Sequence, residues 1–164
     1  MSHQLEEVPK FGWKHSSAML WRYNPEWYHL IGSVCKKCGK KHYPRKRVCM
    51  YPCNSTDLED VQLAHTGTIE HVGILTAYPS AGYFDVQPQV FASVRLDDNG
   101  PHVEAELVNA PIGPMKEHML SGGKLEFKWF DSLVGRKVRM VVRRFRRHDN
   151  GDITYGHKFE LIAE

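Results

Sequence analysis

Residues 35–53 read CKKCGKKHYPRKRVCMYPC and hold every cysteine of the chain in two close pairs. Cys35 and Cys38 form Cys-x2-Cys, ten residues intervene, and Cys49 and Cys53 form Cys-x3-Cys. Two such turns facing each other present four thiolates to one point, the tetrahedral sulfur shell that Zn²⁺ prefers. Gly39 follows the first pair and Asn54 the second. Both residue types tolerate the left-handed backbone that turns amide N–H groups towards the sulfurs. The surrounding lysines partly offset four thiolate charges. A redox pair would normally sit at a strand-to-helix turn in a βαβ context, which this sequence lacks; an iron centre or unmetallated thiols would also be compatible with the spacing. Four closed ligands leave no open position, so the metal is expected to be structural.

Composition supports the reduced state that this reading needs. The opening MSHQLEEVPKFGWKHSS has no apolar core of a signal peptide, and no later run approaches the roughly 18 apolar residues of a membrane span. A soluble, cytoplasmic protein is expected, in which thiols stay reduced and disulfides are rare. With 164 residues, 41% of them hydrophobic, the chain can bury one core plus a small appendage.

Working outward, residues 16–32, SSAMLWRYNPEWYHLIG, are expected to form one or two short helices, with Asn24 as a cap, Pro25 in the first turn and Glu26 at the positive end of the dipole. Trp21, Tyr23, Trp27 and Tyr28 exceed what one core-facing stripe needs. They pack on the chain's own body or form an aromatic docking surface for a partner; on either reading the arm is expected to be covered. From Val61 on, alternation and β-branched residues predict strands in VQLAHTGTIEHVGILTAY, QVFASVRLD, HVEAELVN, KLEFKWF, RKVRMVVRRF and ITYGHKFELI, with a helix only near residues 113–123. Five or six strands with a short helix between the third and the later ones suit an OB-type barrel. The predicted fold is mainly β: a helical arm over 1–33, a rubredoxin-like zinc ribbon over 34–60 and an OB-fold barrel over 61–164.

Charge is segregated. Fourteen of the 22 lysines and arginines fall in residues 35–47 and 136–147, which contain no acid, so the rest carries eight bases against nineteen acids, or −11. Such clustering marks an electropositive surface for an anionic ligand, or a solvated strand edge guarded by charge. On an unbroken strand Arg139 and Arg143 share one face with Val141 and Phe145, while Met140 and Val142 share the other with Arg144 and Arg146. The basic candidates for ligand contact are Arg45, Arg47, Arg143, Arg144, Arg146 and Arg147. Coenzyme A, with its 3′-phosphate and pyrophosphate, suits arginine forks. Nucleic acid is the competing ligand, since zinc ribbons and OB barrels both commonly bind it. The total of +3 and an aromatic arm set apart from the basic strand argue against nucleic acid.

Over Trp21–Leu161 the chain resembles the zinc-ribbon OB-fold proteins associated with acyl-CoA metabolism. The resemblance rests on NPEWYHLIGSVCKKCGKKHYPRKRVC, on CNSTDLEDVQLAHTGTIEHVGIL and on the closing strand VGRKVRMVVRR. The second knuckle departs from the family's usual Cys-x2-Cys-Gly, and residues 111–131 enlarge the barrel. The resemblance implies a non-catalytic accessory subunit of a thiolase-fold or acyltransferase-type complex, with acyl-CoA held at the subunit junction and carbon–carbon chemistry performed by the partner's cysteine. A thiolase acting on benzoylsuccinyl-CoA is one such partner. No Gly-x-Ser-x-Gly, His-Glu-x-x-His or phosphate-loop motif suggests catalysis by this chain alone, and the scattered histidines, His42, His65, His71, His102, His118 and His157, are expected to be surface or structural.

Overall fold

The computed structural model describes residues 17–50, 52–75, 89–111, 128–147 and 153–162. Helix α1 (Ser17–His29) leads into a three-stranded antiparallel sheet of β1 (Ile31–Cys35), β2 (Lys41–His42) and β3 (Leu58–Gln62), in the order β2-β1-β3. Then follow β4 (Thr66–Leu75), β5 (Gln89–Leu96), β6 (His102–Glu106), a single helical turn α2 (Lys128–Asp131), β7 (Lys137–Arg147) and β8 (Ile153–Leu161). These five strands form one sheet, ordered β6-β5-β4-β7-β8. Its two edges meet through a parallel bridge from Leu107 to Phe159, where the Val108 amide donates to the Phe159 carbonyl at 2.9 Å. An antiparallel five-stranded sheet closed by one parallel seam is the OB-type barrel the strand pattern predicts.

Period-two patterning fills the barrel. Val90, Ala92, Val94 and Leu96 of β5 point inward, as do Val103 and Ala105 of β6, and they meet Ile69, Val138 and Phe159. Leu133, just past α2, is buried in the same core. The β5–β6 connection is tight because Asp98 and Asn99 both hold positive φ, 56° and 54°, which short polar side chains tolerate. Gly67 is required on β4: a Cβ there would lie 2.5 Å from the Arg95 carbonyl oxygen.

Three sequence expectations need correction. Pro25 does not open a helix but lies inside α1. Its ring removes the N–H that would bond the Trp21 carbonyl, and at the neighbouring residue Arg45 Nη2 donates to the Arg22 carbonyl at 2.8 Å. The stretch expected as one long strand from Val61 divides into β3 and β4, because Leu63 turns into the core and its amide bonds the Leu30 carbonyl. The described part of KLEFKWF is the helical turn α2, not a strand. The helix expected at 113–123 lies outside the described residues.

The arm reaches the ribbon through an unusual residue. Leu30 ends α1 with φ 50°, donates its amide to the Glu26 carbonyl at 3.0 Å and buries its side chain completely. Glycine usually occupies such a position, and a leucine there costs on the order of 1 kcal/mol, which its core contacts offset. Among the described residues, no helix is long and apolar enough to cross a membrane.

Candidate metal centre

The ribbon sheet brings the two knuckles together. Cys35 ends β1 and Cys38 follows in its turn, where Gly39 takes φ 71° and donates its amide to the Cys35 carbonyl at 2.7 Å. On the other side Cys49 bridges to Ser55, and Asn54 takes φ 46° after Cys53. Cys35 and Cys53 sulfurs lie 3.4 Å apart, Cys38 and Cys49 sulfurs 3.7 Å apart, and all four lie within 4.8 Å of one another. Zn–S bonds of about 2.3 Å in a tetrahedron require sulfur separations of about 3.8 Å, so the cluster fits the ion with little adjustment. Burial opposes ionisation of Cys35, but the amides of Cys38 and Lys37 and the Cys53 sulfur outweigh it and hold that thiol at about 6. Burial and the Cys38 and Cys53 sulfurs push Cys49 up to about 12. The donor set is all sulfur and closed, and the four cysteines form a structural zinc site.

The basic residues around it divide by role. Arg45 is an internal clamp: Nε donates to Glu26 Oε1 at 2.7 Å, Nη1 to Asp60 at 3.0 Å and Nη2 to the Arg22 carbonyl, joining arm to ribbon. Glu26 is only 4% exposed, so the pair is largely out of water. Lys36 faces Asp57 and Glu59 at 3.6 and 3.4 Å. Arg47 is exposed at the ribbon surface. On the barrel, Arg143 is exposed and reaches Glu160 at 3.6 Å; Arg144 is exposed opposite Tyr155. A bulge at Phe145 changes the face arithmetic: position 146 pairs with Thr154 and position 147 with Ile153. Register therefore places 146 on the face of 143, and 147 on that of 144, not 144 with 146 as simple alternation predicts.

The aromatic arm is only partly covered. Trp21 is 76% exposed and Tyr23 is exposed, whereas Trp27 and Tyr28 are half-buried. Tyr23 stacks on Trp27 with centroids 5.7 Å apart. Arm, ribbon and barrel converge on Tyr43, whose hydroxyl lies 3.3 Å from the Glu26 carbonyl and 3.4 Å from His157 Nδ1. Burial holds His157 below the usual imidazole range, only partly offset by the Trp27 backbone. Neither Tyr43 nor His157 stands out in the sequence as a junction, because their contacts span 114 residues.

A closed four-sulfur knuckle on a three-stranded ribbon, joined to a five-stranded OB-type barrel, defines a zinc-ribbon OB-fold protein. Residues 28–59 match the family model described as ChsH2, rubredoxin-like zinc ribbon domain. A DUF35 domain-containing scaffold protein of Methanocaldococcus jannaschii is 29% identical over 144 residues, covering 87% of this chain and 88% of the relative. A protein of the same description from Methanothermobacter thermautotrophicus is 27% identical over 141 residues, covering 85% and 92%. A chain of the solved structure titled Ltp2-ChsH2(DUF35) aldolase shares the fold, with a TM-score of 0.56 at 22% identity over 84% of this chain and 93% of that one. Ribbon and relatives make this chain similar to the zinc-ribbon DUF35 scaffold proteins, and the solved aldolase chain shares its fold.

Proposed function

We propose that this chain is an accessory scaffold subunit that docks on a catalytic partner of thiolase fold and helps to hold its acyl-CoA substrate. The observation that carries the reading is Trp21, a large aromatic left 76% exposed on a helix that is itself clamped to the ribbon by Arg45 and Glu26. Rigid exposed tryptophans are the residues on which interfaces concentrate their energy. The scaffold description of the relatives and the aldolase title of the structural neighbour support the same role. The zinc shell offers substrate no open position, so the metal is structural, and on this reading bond making belongs to the partner.

The β7 end, with Arg143, Arg144, Arg146 and Arg147, and Arg47 on the ribbon are the arginines that meet the nucleotide end of coenzyme A; Arg45 is committed within the fold. Affinity capture from the native host with mass spectrometry identifies the partner. Trp21→Ala is expected to weaken that complex by about 2 kcal/mol, roughly thirtyfold; unchanged affinity would refute the docking role. Replacing Arg144 and Arg146 by Ala raises the complex's KM for acyl-CoA tenfold or more, while a truncated pantetheine thioester is used as before. Equal losses on both substrates, or none, would remove coenzyme A from these arginines.

A further inference from the structure

Ribbon and barrel do not meet flush. Between the ribbon segment Gly39–Lys46 and the β5–β6 turn lies an open cleft of about 430 Å³, large enough for a small ligand, since such sites span roughly 300–1,000 Å³. Lys40, Lys41 and Lys46 line its ribbon wall, Arg95 and His102 its barrel wall, and among the described residues no carboxylate lines it. His42 also lines it, 7% exposed, and its Nε2 has no hydrogen-bond partner among the described residues.

Two features separate this cleft from an ordinary basic surface. The first is the concentration of cations on one wall. Lys40, Lys41 and Lys46 line the ribbon side of the cleft, three cations against the −2 of a four-thiolate zinc centre whose Cys38 also lines it. Lys46 makes no ion pair among the described residues. The second is that cations on both walls are already held in place. Lys41 Nζ donates to the Asp98 carbonyl at 2.7 Å and keeps its other N–H groups. Glu70 grips Arg95 Nε at 2.5 Å and His102 Nδ1 at 3.2 Å from behind, which orients both side chains. Oriented donors lose less entropy when they take up a ligand.

We propose that this cleft binds a phosphate-bearing anion of up to nucleotide size, its phosphoryl oxygens lying between Lys41 and Lys46 on the ribbon and Arg95 on the barrel. This site is separate from the β7 arginines and does not depend on a partner subunit. The test is a ¹⁵N NMR titration of the zinc-loaded chain with inorganic pyrophosphate, AMP and adenosine. Saturable shifts are expected at Lys41, Lys46, Asn99, Gly100 and His102 with pyrophosphate and AMP but not adenosine. Tighter binding of AMP assigns a nucleotide; equal binding assigns the phosphoryl group alone. Lys46→Glu and Arg95→Ala, one on each wall, should each weaken binding tenfold or more with zinc content unchanged. Three outcomes would overturn the proposal: no saturable shift with either anion at millimolar concentration, shifts confined to the β7–β8 hairpin, or unaltered affinity in both variants.

Discussion

Removing Arg45 isolates a carboxylate that has almost no water around it. Glu26 is 4% exposed, and Arg45 Nε is the donor at 2.7 Å from its Oε1. Losing one partner of a fully buried ion pair costs about 3–5 kcal/mol. The Arg45 side chain, however, is 29% exposed, so water reaches the vacated site and the cost falls towards the bottom of that range. The bond to the Arg22 carbonyl adds about 1 kcal/mol, and the bond to Asp60, itself 62% exposed, adds little. Arg45→Ala is thus expected to destabilise the zinc-loaded protein by about 4 kcal/mol in urea denaturation, with faster hydrogen exchange along α1. Glu26→Gln should cost less, because a neutral amide can still accept a bond from the arginine. The double variant should be more stable than Arg45→Ala alone, since the stranded charge is gone. A loss under about 1 kcal/mol, or a double variant no better than Arg45→Ala, would show that the clamp is a surface pair and that the arm is held by other contacts.

Metal analysis should find about one zinc per chain, and Cys49→Ser should lose the metal and the ribbon's amide protection together, because structural zinc and folding are linked; folded, metal-free protein would contradict this. Gly32→Ala places a Cβ 2.5 Å from the His42 carbonyl oxygen and 2.8 Å from Leu63 Cδ1, so a loss of about 2–3 kcal/mol is expected, with calorimetry as the check. His157 is held neutral by burial, so its folded pKa lies below the unfolded value of about 6.5. The unfolded chain then binds more protons as pH falls below about 6.5, and stability is full above that value and declines below it. His42, lowered by burial and by Lys46 and Lys40, adds to the same slope. His157→Gln should flatten the dependence of the urea midpoint between pH 7.5 and 5.5 at constant zinc content; an unchanged slope would clear His157.

The zinc site was legible because its geometry is local: the knuckles span four and five residues, and spacing alone aims both sulfurs. The barrel strands were legible for a similar reason, since Val90, Ala92, Val94 and Leu96 repeat with the period of the pleat. What escaped depended on partners distant in sequence. Arg45 reads as one more cation in a basic run until the fold brings Glu26 from 19 residues away. Pro25 reads as a helix start because proline suits the first helical turn, whereas α1 already begins at Ser17 and runs through it. KWFD follows an alternating stretch and reads as strand, whereas it folds as a helical turn that precedes the buried Leu133. The bulge at Phe145 carries no sequence signature, so the faces of the β7 arginines had to be found from register.

Leu30 has a consequence for how the arm is presented. One left-handed residue, anchored in the core, fixes the heading of α1 relative to the ribbon, and with it the direction in which Trp21 points. A glycine there would relax the backbone but remove the anchor, and the same tryptophan would sweep a cone instead of holding one bearing. On the docking role proposed for Trp21, this joint sets the angle of approach: a partner surface would have to meet the tryptophan along the one bearing that Leu30 holds.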